Sequence, residues 1–124
     1  MENKKSILYV DDEEINRYIF VMLLESTFNV YQATSGQNAL DILSENPDIK
    51  LVITDWSMPK MDGLSFARKA KSRFKDKKIM MLSAYVKNRE IDEAIDNGTL
   101  KAYFSKPLDR ESFLNKTKEL GLLN

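Results

Sequence analysis

Ile7-Leu8-Tyr9-Val10-Asp11-Asp12, an unbroken apolar run that ends on two adjacent carboxylates, decides the fold of this chain. A run without polar alternation suits a strand covered on both faces, as in the centre of a parallel sheet. The pattern recurs. Leu51-Val52-Ile53 leads into Thr54-Asp55, and Ile79-Met80-Met81-Leu82 leads into Ser83. Val30 to Ala33 and Ala102 to Phe104 are weaker strand candidates, the second followed by Ser105-Lys106-Pro107. Helical periods lie between them: Ile15, Tyr18, Ile19, Met22 and Leu23; Ala39, Leu40 and Leu43; Ala67, Ala70 and Phe74; Ile91, Ala94 and Ile95; Phe113, Leu114 and Thr117. Thr34 with Gln37 fits a capping box, and Asp109 suits the N-cap of the last helix. Five strands alternating with five helices, joined by right-handed crossovers, predict an α/β fold, a three-layer α/β/α sandwich. Ligands of such sheets bind outside the carboxyl ends of the strands, so three carboxylates, a hydroxyl and an ammonium are expected to converge there. That set suits a divalent cation and a phosphoryl group.

At 124 residues the chain reads as one domain over 1–124. It has no cysteine and no histidine, which excludes disulfides, thiolate ligands, an imidazole base and phosphohistidine. Any metal must sit on oxygen. Nineteen basic and nineteen acidic residues cancel and are scattered, which argues against nucleic acid as a direct partner. No segment has the length of a signal peptide core or a membrane span, so no membrane contact and a cytoplasmic location are expected. The four glycines, at positions 36, 63, 98 and 121, make no phosphate-cradling loop.

Each polar residue also has an ordinary reading. Asp11 and Asp12 could cap the helix that begins near Glu14, and Asp55 could form a turn ahead of Pro59. Ser83 could be a strand-end hydroxyl, Lys106 a surface lysine and Tyr103 a half-buried strand aromatic. Two adjacent carboxylates at the mouth of a buried strand repel each other, however, and a bound cation relieves that repulsion. Mg²⁺ takes oxygen ligands and keeps several waters, so two or three carboxylates and a carbonyl suffice. A carboxylate that attacks phosphorus brings negative charge towards negative charge, and a cation at that point lowers the barrier.

As a set, Val10-Asp11-Asp12-Glu13, Asp55-Trp56-Ser57-Met58-Pro59-Lys60-Met61-Asp62-Gly63, Leu82-Ser83-Ala84 and Tyr103-Phe104-Ser105-Lys106-Pro107 resemble the receiver domain of two-component response regulators. The resemblance spans nearly the whole chain. It implies a CheY-like, flavodoxin-like sheet in the order 2-1-3-4-5, with the site beside the first strand. It implies that Asp55 is the phosphoacceptor, that Asp11, Asp12, Asp55 and the Ser57 backbone carbonyl bind Mg²⁺, and that Lys106 and Ser83 contact the phosphoryl group. Ser83 and Tyr103 look like a switch pair: Ser83 is drawn to the phosphoryl group, and Tyr103 turns inward from solvent. The partners implied are a sensor histidine kinase or phosphotransfer protein as donor, and an output protein on the face of the fourth helix, fifth strand and fifth helix. The chain is then expected to be a signalling phosphoacceptor and not an enzyme, with no output domain after the fifth helix, either a stand-alone shuttle or a fragment of a larger regulator or hybrid kinase.

Ser57, Tyr85 and Leu108 depart from the commonest family pattern, and Ser57 and Tyr85 are expected to tune dephosphorylation rate. Lys106-Pro107 is compatible with a cis bond. Trp56, next to Asp55, should report ligand binding by fluorescence. Two other readings compete. A hydrolase of the haloacid dehalogenase type needs a second acid two residues after the nucleophile, where this chain has Ser57. A docking module independent of phosphorylation would usually have lost Asp12, Asp55 or Lys106, and all three are present.

Overall fold

The computed structural model describes residues 4–124. Five strands, β1 (Lys5–Val10), β2 (Phe28–Ala33), β3 (Leu51–Thr54), β4 (Lys78–Ser83) and β5 (Ala102–Ser105), alternate with five helices. These are α1 (Glu14–Leu24), α2 (Gly36–Glu45), α3 (Gly63–Arg73), α4 (Arg89–Asp96) and α5 (Arg110–Glu119). The strands form one parallel sheet in the order β2-β1-β3-β4-β5, as the family resemblance implies. Strand residues alternate between two apolar layers. Leu8, Val10, Val52, Ile79 and Met81 join a cluster with Ala39, Leu40, Ala67 and Ile91 from α2, α3 and α4. Ile7, Tyr9, Ile53, Met80 and Leu82 join Phe20, Leu24 and Phe113 from α1 and α5.

Register aligns the strand ends that carry function. Val10 stands opposite both Ala33 and Thr54, Thr54 opposite Met81, and Ser83 opposite Ser105. The ladder runs one residue past the strands: the Asp11 amide donates to Ala33 O at 3.1 Å and the Asp55 amide to Val10 O at 2.8 Å. Asp11 and Asp55 are thereby side by side on the carboxyl edge, and β1 is where the strand order reverses.

Two local expectations are corrected. The capping box at α2 lies one residue later than Thr34 and Gln37: Ser35 is the N-cap and accepts from the Asn38 amide at 3.0 Å. Asn38 answers by accepting from the Thr34 amide at 3.0 Å, while Gln37 bonds Asp41 on the next turn. A short amide can close the reciprocal pair that was expected of glutamine. The α1 correction is larger. Ile15, Tyr18, Ile19 and Met22, which match a core-facing period, are exposed, and the helix buries Phe20 and Leu24 instead. The cause is aromatic: Phe20 stacks on Tyr9 with centroids 4.1 Å apart and meets Phe113 edge-on at 6.1 Å. The Asp109 N-cap is as expected, accepting from the Ser112 amide at 3.3 Å, and Lys106-Pro107 is cis.

Gly63 opens α3 where the helix start folds back on the end of β3, and its amide donates to Trp56 O at 2.7 Å. A Cβ at this position would lie 1.9 Å from the Asp55 carbonyl oxygen. Backbone cannot swing aside as a side chain can. Gly63→Ala is therefore expected to destabilise the fold by roughly 1–3 kcal/mol, the usual cost of overpacking. Urea unfolding of both proteins checks this, and equal midpoints would show that the loop relaxes freely.

Candidate functional site at the carboxyl edge of the sheet

Each side chain of the site is set by a strand end. Asp11 follows β1 and is fully buried; its Oδ2 accepts from the Tyr9 hydroxyl at 2.7 Å and its Oδ1 from the Glu13 amide at 2.9 Å. Arg17 on α1 donates to Asp11 O at 2.9 Å. Neither Asp11 nor Asp12 caps α1: the N-cap residue is Glu13, without a side-chain cap bond. Asp12 is exposed beside this group. Asp55 follows β3, is buried, and accepts from the Trp56 amide at 2.8 Å. Carboxylate oxygens of Asp11, Asp12 and Asp55 all lie within 4.8 Å of one another.

Lys106, at the end of β5, reaches over them. Its Nζ is 3.0 Å from Asp11 Oδ2 and 3.4 Å from Asp55 Oδ1, and its amide donates to Ser83 O at 2.9 Å. Burial pushes the Asp55 carboxyl above the ordinary aspartate value; Lys106 pulls it back and the Asp11 charge raises it again. Burial works against the Lys106 ammonium, but the Asp11 hydrogen bond and the charges of Asp55 and Asp11 prevail and hold it above the ordinary lysine value. Three carboxylates facing one ammonium leave net negative charge. Hard oxygen donors at this spacing fit a divalent cation such as Mg²⁺.

The other expected residues are arranged around this centre. Ser83 is fully buried, and its Oγ accepts from the Tyr85 amide at 3.1 Å. The Tyr103 hydroxyl donates to Tyr85 O, and its ring meets Trp56 edge-on at 6.3 Å. Tyr103 is thus half-buried against the core rather than turned to solvent, because Trp56 and the Tyr85 carbonyl offer it partners. Ser57 is exposed on the loop after β3. Together with Trp56, Met58, Asp62, Tyr85, Val86 and Asn88 it lines an open groove of about 420 Å³.

The response regulator receiver domain model matches residues 7–118. The chain belongs to that family. Among relatives of this receiver domain, a chemotaxis protein CheY homolog of Campylobacter jejuni is 31% identical over 118 residues, covering 92% of this chain and 90% of the relative. Sporulation initiation phosphotransferase F of Bacillus subtilis is 34% identical over 125 residues, covering 96% and 94%. Among solved structures, the CheX-CheY-BeF3-Mg²⁺ complex of Borrelia burgdorferi superposes with a TM-score of 0.85 at 28% identity, covering 94% of this chain and 88% of that one. The receiver family places the chain in two-component signalling, and no helix of the described residues is long and apolar enough to cross a membrane.

Tyr9 was missed as a site residue by the sequence reading. The signal was available: residues i and i+2 of a strand share a face, so a tyrosine two before Asp11 points the same way. A buried carboxyl held above its ordinary value costs stability when ionised. Its folded form binds the extra proton, so this cost is full above the raised value and vanishes below the ordinary 3.8. Asp55→Asn is therefore expected to raise the melting temperature at pH 7, with the gain shrinking as pH falls towards 3.8. Melting curves across pH check the sign, and an Asn variant less stable at pH 7 would reverse it.

Proposed function

We propose that Asp55 accepts a phosphoryl group from a phosphohistidine of a sensor histidine kinase or phosphotransfer protein. The observation that carries this reading is the clustering of Asp11, Asp12 and Asp55 within 4.8 Å, with Lys106 3.4 Å from Asp55 Oδ1. Asp55 supplies the attacking oxygen: an O–P bond forms as the donor's N–P bond breaks, and the donor imidazole leaves. Asp11, Asp12, Asp55 and the Ser57 carbonyl would hold Mg²⁺, whose charge offsets that of the incoming phosphoryl oxygens. Lys106 moves from the carboxylates onto a phosphoryl oxygen as a charge-assisted donor. The Borrelia CheY complex, solved with BeF3 and Mg²⁺, supports this assignment by its similarity. On this reading the chain is a phosphoacceptor in a relay and not an enzyme in its own right.

The same reading assigns the switch to Ser83 and Tyr103. The Ser83 hydroxyl proton has no protein acceptor among the described residues, so it is available to a phosphoryl oxygen on Asp55. The Ser83 oxygen is bonded to the Tyr85 amide and the Tyr85 carbonyl to Tyr103, so a shift of Ser83 pulls on both. The lever acts on the face of α4, β5 and α5, where the output protein docks. The exposed Ile15, Ile19 and Met22 of α1 offer the apolar surface on which the donor would dock.

Incubation with Mg²⁺ and acetyl phosphate, followed by intact mass measurement, tests the acceptor. The wild type is expected to gain one phosphoryl group, and Asp55→Asn or wild type with EDTA none. A wild type that gains nothing while Mg²⁺ changes Trp56 fluorescence would instead indicate a docking module. Ser57 and Tyr85 both line the open groove that also holds Trp56, next in sequence to Asp55, and on this reading they flank the path of the attacking water. Ser57→Asn and Tyr85→Ala are expected to change the phosphoryl half-life by about threefold or more, near 0.7 kcal/mol in the barrier. Unchanged decay would remove them from that role.

A further inference from the structure

Tyr9 is a buried aromatic in a run that otherwise holds aliphatic side chains, and its hydroxyl ends on the metal-facing carboxylate. A carboxylate has about four lone-pair sites. Asp11 commits three of them: Oδ1 to the Glu13 amide, and Oδ2 to both the Tyr9 hydroxyl at 2.7 Å and Lys106 Nζ at 3.0 Å. Lys106 is shared, lying only 3.4 Å from Asp55 Oδ1. Tyr9 is not shared: its ring is stacked on Phe20 and its hydroxyl has no other partner among the described residues.

We propose that Tyr9 is a positioning residue of the cation site, which keeps Asp11 Oδ2 bonded when Lys106 leaves it. The proposal rests on the phosphoacceptor reading above. With a divalent cation among the three carboxylates, the Lys106 ammonium is repelled from Asp11 and drawn towards Asp55 and its phosphoryl group. A fully buried oxygen that lost its only partner would be left bare, and that penalty opposes the move. The Tyr9 hydroxyl removes the penalty by staying in place. The Tyr9 ring is buried and stacked on Phe20, which keeps its hydroxyl aimed at Asp11 Oδ2 as a donor. Without it, Lys106 stays on Asp11, and the cation must displace an ammonium that has become the sole partner of that oxygen.

Mg²⁺ binding to the full chain, measured by isothermal titration calorimetry and by Trp56 fluorescence, tests this without any phosphorylation step. Tyr9→Phe keeps the stacked ring and loses only the hydroxyl; its Kd for Mg²⁺ is expected to rise about five- to tenfold, the cost of one unmet buried acceptor. Phe20→Leu breaks the stack and leaves the hydroxyl; it is expected to melt earlier but to keep its Kd within about twofold, as a change to packing alone. A Tyr9→Phe Kd equal to or tighter than wild type overturns the proposal, as does an equal shift in both variants, which would make Tyr9 a packing residue. If the wild type itself binds no Mg²⁺, the phosphoacceptor reading fails and this proposal with it. Wild-type binding with an unchanged Tyr9→Phe leaves that reading standing and removes only the role of Tyr9.

Discussion

Three carboxylates of like charge within 4.8 Å of one another, two of them buried, set the terms for the rest of the molecule. Two unit charges 4 Å apart repel by about 4 kcal/mol at the effective dielectric of a protein surface. The scaffold must therefore hold the groups together against their own repulsion. It does so through backbone. Asp11 and Asp55 ride on parallel strands whose ladder bonds continue through their own amides, and both strands are covered on both faces by apolar layers. Lys106 supplies an opposing charge in direct contact with two of the carboxylates, and it is anchored by its amide to the end of β4. Ligands held together by backbone in this way would need little ordering to receive a cation.

Ser83, Tyr85, Tyr103 and Trp56 are connected through two hydrogen bonds and an edge-on aromatic contact. Tyr103 holds the Tyr85 carbonyl by its hydroxyl. On the proposed reading, a phosphoryl group would bias this element between two arrangements, with a strength set by how differently the two meet the ligand. Tyr103 lies half-buried against the core, so on that reading the change would concern which contacts it keeps rather than a swing from open solvent.

The helix α1 carries two apolar stripes, and their division of labour shapes the surface beside the site. Phe20 and Leu24 face the sheet; Ile15, Tyr18, Ile19 and Met22 face outward. Exposed apolar residues grouped on one helix face mark contact surfaces more often than isolated ones do. Ile19 of this group also lines a groove of about 270 Å³ together with Tyr9, Leu82, Lys106 and Leu108. The molecule thus offers apolar surface beside α1 and Lys106.

The order of apolar runs and the residues that end them determined, without coordinates, the α/β sandwich, the strand order once the family resemblance was drawn, and the convergence of Asp11, Asp12, Asp55, Ser83 and Lys106. These features were legible because buried parallel strands write continuous apolar runs, and the residue after each run must emerge at one sheet edge. Tertiary structure alone decided which stripe of α1 is buried, since a helical period names faces but does not say which one finds a complementary aromatic. It alone placed the Tyr9 hydroxyl on Asp11 and moved the α2 cap from Thr34 to Ser35. It alone showed that Gly63 must be glycine because the Asp55 carbonyl occupies the space of its Cβ. Those outcomes depend on contacts of a few tenths of an ångström between elements, and such distances are set by packing rather than by the local order of residues.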